Sequence, residues 1–164
     1  MSEKEFSIKL FKNDLIYNIL KKYNLILLVG NKETNSLLLQ KLKENLSSTI
    51  LINLGYKLSQ KLLDEQLEIT RDPQIFFDEI LKGVNEEVIL LDNTDILFDH
   101  NLSFDPLYIF KKISSKKKIM AMWNGKYEQV SNKLTYAERK HLDWKEYIIN
   151  NNEVNIINSE ENLL

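Results

Sequence analysis

Four short apolar runs punctuate this sequence, at residues 25–29, 49–54, 87–92 and 119–123. The first and last hold no polar residue, and the middle two carry theirs only at or beside their ends. A strand with one face in solvent alternates apolar and polar positions, whereas unbroken runs of this length mark parallel strands covered by helices on both faces. The intervening segments read as helical. Ile8, Leu10, Phe11, Leu15, Ile16, Ile19 and Leu20 approximate one stripe and predict an N-terminal helix over 6–23. Over 34–46, Leu38, Leu39, Leu42 and Leu46 share a face opposite Lys41, Lys43 and Glu44. Residues 56–67 also suggest a helix. Asp72-Pro73 resembles an N-cap followed by a first-turn proline, opening a helix over 74–81 that stops at Gly83. Asp105-Pro106 opens another that carries Leu107, Ile109, Phe110 and Ile113. The polar stretch 126–140 reads as loop with a short helix. After it come a short helical piece over 142–150, with Trp144 on its face, and a last strand over 153–157. Trp123, ending a buried strand, is expected in the core.

Strands alternating with helices predict an α/β fold, a parallel sheet of about five strands sandwiched between helices in three layers. At 164 residues the chain fits one domain over 1–164, able to bury about two thirds of its unfolded surface. The N-terminal helix and a C-terminal strand and tail, 151–164, belong to that domain. Hydrophobic residues make up 43% and charged residues 28%, and no run approaches the roughly 18 apolar residues of a membrane span. Met1-Ser2-Glu3-Lys4-Glu5 is too charged for a signal peptide, so a cytoplasmic location without a membrane partner is expected. Cysteine is absent, which excludes disulfides and thiolate metal sites, and two isolated histidines, His100 and His141, argue against a dedicated zinc site. A net charge of −2 gives no global drive toward nucleic acid. The clusters Lys111-Lys112 and Lys116-Lys117-Lys118 offer a local basic surface for DNA, or simply a solvated helix end that complements the helix dipole.

Ligands of parallel α/β sheets bind beyond the carboxyl ends of the strands, so Gly30, Asp92 and Asn124 are expected on one edge. The first strand ends in Gly30 and passes through Asn31, Lys32, Glu33, Thr34, Asn35 and Ser36 into a helical pattern, the outline of a phosphate-binding loop. The intact motif G-x-x-x-x-G-K-[ST] uses a second glycine, a lysine and a hydroxyl on Mg²⁺; counted from Gly30, those places hold Asn35, Ser36 and Leu37. If ATP and Mg²⁺ bind, the seven residues 30–36 are the candidate nucleotide contacts. Lys32 is the only cation in the loop, while Thr34 and Ser36 are its only hydroxyls and serve equally well as helix caps. An apolar strand ending in Asp92 matches the carboxylate that orients Mg²⁺. The next residue is Asn93, and an amide cannot accept a proton from water, so Asp95 becomes the candidate base, or else part of a turn and capping cluster. Asn124 takes a sensor-like place at the end of the fourth strand. Arg71 and Arg139 are the only arginines; Arg139 is the candidate for a charge supplied in trans, or is a surface arginine.

Together these features resemble the additional-strand class of P-loop NTPases, including AAA+ proteins, with a flavodoxin-like or other doubly wound sheet as the alternative. Six blocks in order carry a closer resemblance: 25–30, Ile52-Asn53-Leu54-Gly55 with Leu58-Ser59, 90–99, Asp105-Pro106-Leu107, 121–125 and 134–138. In these the chain is similar to the BrxF family, small P-loop proteins of type III BREX phage-defence systems. That resemblance implies a bacterial component of an antiviral operon, beside a large ATPase, a DNA methyltransferase and a phosphatase-like protein. The missing Gly-Lys-Ser/Thr departs from the loop expected of such a family. The expected function is therefore an assembly or regulatory subunit with a degenerate loop; the alternatives are a weak oligomeric ATPase completed between subunits, and a DNA-binding subunit.

Overall fold

The structure, a computed structural model, describes residues 15–64 and 73–159. Helix α1 (Leu15–Lys22) leads into β1 (Leu25–Gly30), α2 (Lys32–Asn45), β2 (Thr49–Asn53), α3 (Leu54–Asp64) and α4 (Pro73–Ile80). Then follow β3 (Val88–Asp92), a 3-10 turn (Thr94–Phe98), α5 (Pro106–Ser114), β4 (Lys118–Glu128), β5 (Lys133–Tyr136), β6 (Lys145–Ile148) and β7 (Val154–Asn158). The expected helical residues 6–14 and 65–67, together with Arg71, Asp72 and the tail 160–164, lie outside the described residues.

Five strands form the parallel sheet in the order β2-β3-β4-β1-β7. β4 thus lies between the glycine-ended β1 and the aspartate-ended β3, as in the additional-strand P-loop architecture. Alternate side chains of a strand point to opposite faces, and β1 divides accordingly. Leu25, Leu27 and Val29 join a cluster with Leu54, Leu58, Phe77, Phe98 and Phe110. Ile26 and Leu28 join a second cluster with Ile16, Leu20, Leu38, Leu39 and Leu42. Both faces of the strand are shielded from water, which explains its unbroken apolar run. The result is the expected three-layer α/β fold, with α1 and α2 on one side and α3, α4 and α5 on the other.

The carboxyl-terminal third departs from expectation. Residues 126–140 are not a loop with a helix, and 142–150 is not helical. β4 runs past the sheet and turns into an antiparallel hairpin in which Gly125 faces Tyr136 and Tyr127 faces Leu134. β6 adds a third strand, Leu134 facing Tyr147. Trp144 therefore sits in the turn before β6 rather than on a helix. The physical reason is a period-two pattern, with Tyr127, Leu134, Tyr136 and Tyr147 turned toward the core cluster and Lys126, Glu128, Lys133, Thr135, Glu146 and Ile148 alternating with them. Aromatic contacts fasten this hairpin. The Phe98 ring stacks on Tyr136 at 3.7 Å and meets Trp123 edge-on at 4.8 Å, and Tyr147 donates its hydroxyl to Asp105, the N-cap of α5, at 3.0 Å.

Trp123 is fully buried, and its indole N–H donates to the Thr135 carbonyl at 3.0 Å. Gly125 permits that approach, since a Cβ there would stand 1.9 Å from the Thr135 carbonyl oxygen. Gly125→Ala should force the hairpin apart at a cost of about 1–3 kcal/mol. The urea midpoint, followed by tryptophan fluorescence, should fall; an unchanged midpoint would mean that β5 does not close on Gly125.

Candidate functional site

Parallel register aligns the strand ends. Gly30 pairs with Asn124 and Asn53 with Asp92, so the residues expected to converge do share one sheet edge. The connection that follows β1 is shorter than a phosphate loop. Strand geometry persists through Gly30, only Asn31 intervenes, and α2 begins at Lys32 instead of Thr34. Asn31 caps the helix, its side-chain oxygen accepting the Thr34 amide at 2.9 Å. Glu33, exposed in the first turn, sets a carboxylate against the positive end of the helix dipole.

Asn35 explains why the helix starts so early. It is fully buried, and its side-chain N–H donates to the Leu28 carbonyl at 3.0 Å. Its oxygen lies 2.8 Å from the hydroxyl of buried Ser159, just beyond β7. That hydroxyl also stands 2.9 Å from the Val29 carbonyl, which accepts the Ser159 amide at 2.8 Å. A Cβ on Gly30, whose φ is +154°, would fall 2.0 Å from Ser159 Oγ. Ser159 thus fills the space beside the glycine. Nothing in the sequence near residue 30 signals it.

A second constellation lies across the edge. Ser36 donates to Asp92 Oδ1 at 2.8 Å, and the same oxygen accepts the Asn93 amide at 2.8 Å. Asn93 adopts the left-handed conformation, φ 51°, which asparagine tolerates better than most residues. By this contact Ser36, not Leu37, occupies the hydroxyl position facing the strand-end carboxylate, and Asn35 stands where a lysine would. Asp95 Oδ1 accepts Asn124 Nδ2 at 2.8 Å and the Tyr136 hydroxyl at 3.0 Å, while Lys32 Nζ lies 3.7 Å from Asp95 Oδ2. Burial, reinforced by the Asp95 charge, pushes the Tyr136 hydroxyl well above the usual phenol range. Tyr136 was not among the sequence candidates, although its place in the alternation of 133–136 was a usable signal.

Arg139 is not brought to either carboxylate; it is exposed in the turn after β5. The lysine clusters engage local partners. Lys111 pairs with Glu153 and Lys116 with Asp78, each at 3.1 Å, Lys117 donates to the Glu86 carbonyl at 3.1 Å, and Lys112 lies 5.3 Å from the Tyr108 ring centre.

Two groups implied by a P-loop fold fit unequally. Ser36 and Asp92 offer Mg²⁺ a hydroxyl and a carboxylate, two of the six oxygens it prefers. A triphosphate does not fit: the turn is one residue long, its helix end is capped by Asn31, and Ser159 fills the space beside Gly30. Comparison with protein-family models, with curated proteins and with solved structures finds no match to this chain.

Asn35→Leu should strand buried polar groups and cost about 2–3 kcal/mol, whereas Ser159→Ala should cost about 1 kcal/mol. Because the two side chains touch, the double variant should fall short of the summed losses by about 1 kcal/mol. Strictly additive urea-unfolding energies would mean that they do not interact.

Proposed function

We propose that this chain is a non-hydrolysing P-loop-like subunit, an assembly or regulatory part of a bacterial phage-defence complex of the BREX type. The observation that carries the first half is the turn between β1 and α2, one residue long and packed from behind by Ser159. A phosphate-binding turn needs a run of free backbone amides wrapped around the anion together with a cation beside it. Here the capping side chain of Asn31 already takes the Thr34 amide, Asn35 replaces the lysine, and Lys32 faces Asp95. Losing one charged donor of this kind costs about 3 kcal/mol of transition-state stabilisation. The α/β frame and its polar edge then serve as a surface for other defence proteins. The pathway rests on the six sequence blocks that resemble BrxF, and a cytoplasmic setting goes with it. Among the described residues no helix is long and apolar enough to cross a membrane.

The Ser36–Asp92 pair is the single observation favouring the alternative, a weak ATPase completed in a homo-oligomer. The lysine contacts with Glu153, Asp78 and Glu86 weigh against a DNA-binding role, since they hold those cations to the protein's own surface.

Calorimetry with ATP, ADP and GTP in the presence of Mg²⁺ separates these readings. No heat at millimolar nucleotide is expected, and phosphate release should not exceed that of Asp92→Ala. Micromolar binding abolished by Asp92→Ala would overturn the non-hydrolysing reading. For the pathway, removing the chain from its native locus should raise phage plating, and the Asp92→Ala form should restore protection. Unchanged plating on removal would sink the defence role.

A further inference from the structure

His100 follows Asp99 just after the 3-10 turn, whereas His141 and Asp143 belong to the turn between β5 and β6. The fold brings these separate segments together, so the two histidines are not isolated. His100 Nδ1 lies 2.7 Å from Asp143 Oδ1 and 3.9 Å from Asp99 Oδ1. His141 Nδ1 lies 3.8 Å from the other oxygen of Asp143. Backbone contacts hold the geometry from both sides: the His100 amide donates to Asp143 Oδ1 at 3.0 Å, and the Asp143 amide donates to His141 Nδ1 at 3.1 Å. Asp99, His100 and Asp143 each present one ligand atom, all within 4.8 Å of one another. The cluster is open to solvent, its side chains being 47%, 45% and 25% exposed.

Two carboxylates share one imidazole here. Like charges at this range repel, and the neutral Asn101 amide and side-chain N–H that donate to Asp99 Oδ1 at 2.9 and 3.0 Å leave the excess of negative charge in place. A divalent cation would remove that imbalance. The donors choose among cations: imidazole nitrogen is a poor ligand for Mg²⁺ and Ca²⁺, and a cluster without sulfur offers little to thiophilic ions. Mixed nitrogen and carboxylate donors suit borderline ions, above all Zn²⁺.

We propose that Asp99, His100 and Asp143 form a binding site for a divalent transition ion of the Zn²⁺ class, with water or His141 completing its coordination. The ion takes the place of the hydrogen bond between His100 Nδ1 and Asp143, with His100 coordinating through its Nδ1 lone pair. Metal–ligand lengths of about 2.1 Å require neighbouring donors roughly 3.4 Å apart in a tetrahedron. Small rotations of exposed side chains open the 2.7 Å pair and close the 3.9 Å pair. The bound ion would clip the segment after β3 to the β5–β6 turn, next to the elements that carry Asp95 and Tyr136.

The test is calorimetric titration of the full chain with ZnCl₂ in a non-chelating buffer, with MgCl₂ as comparator and thermal melts alongside. One zinc per chain is expected, with a raised melting temperature and no response to magnesium. His100→Ala and Asp143→Asn should each weaken zinc binding about tenfold or more while leaving the far-ultraviolet circular dichroism unchanged, since His100 is exposed and an asparagine at 143 keeps the side-chain oxygen that accepts the His100 amide. No binding at millimolar zinc would overturn the site, as would an affinity unaltered by both substitutions.

Discussion

A buried amide side chain fixes the geometry of the sheet edge. Asn35 lies inside the fold with no access to water, and an unpaired buried amide of this kind costs about 1–3 kcal/mol. It is satisfied only when α2 is wound up to β1, close enough for its N–H to reach the Leu28 carbonyl, and when the chain leaving β7 delivers Ser159 to its oxygen. The helix must therefore start at once after Asn31. The same demand ties the first strand to the last, because Ser159 bonds Val29 through both backbone and side chain. A wider turn would release Asn35 from Leu28 and leave Ser159 without a side-chain partner on the helix. The one-residue turn between β1 and α2 thus goes with a packed polar contact.

The rest of the polar edge has structural employment as well. Asp92 accepts the backbone amide that follows it and ties α2 to β3 through Ser36, while Thr94 bonds the Met122 carbonyl at 2.5 Å and so joins the turn after β3 to β4. Asp95 gathers Asn124, Tyr136 and Lys32 from three different elements. Strand ends in a parallel sheet leave backbone groups needing partners, and side chains of this kind supply them. The two carboxylates thus persist where a nucleotide fold would place them, with bonds that need no nucleotide.

How much of this could be read from the sequence depends on which interactions are local. The apolar runs at β1 to β4 announce themselves because burial on both faces removes every polar interruption, and the helices between them follow from periodicity and from caps such as Asp105-Pro106. The hairpin was obscured by its charge. Lys126, Glu128, Lys133, Lys145 and Glu146 hide an alternation whose apolar members are mostly tyrosines, half polar themselves. Two contacts that span the chain left no local trace: Ser159 beside Gly30, and Asp143 between the two histidines.

The carboxyl-terminal hairpin changes what the parallel sheet can present. Without it, Phe98 would lose the Tyr136 ring, Trp123 would lose the Tyr147 ring and the Thr135 carbonyl, and Asp95 would lose Tyr136. With it, the stack of Tyr136 on Phe98 and the Tyr147 bond to Asp105 join the hairpin to the turn after β3 and to the start of α5. The β5–β6 turn lies beside Asp99 and His100, on the same stretch of chain that bears Asp95. A cation held there would stiffen one flank of the polar edge without touching the β1–α2 turn. The segment after β3 therefore links two clusters of different chemistry, one held by half-buried hydrogen bonds to Asp95 and the other open to solvent and rich in metal-ligating atoms.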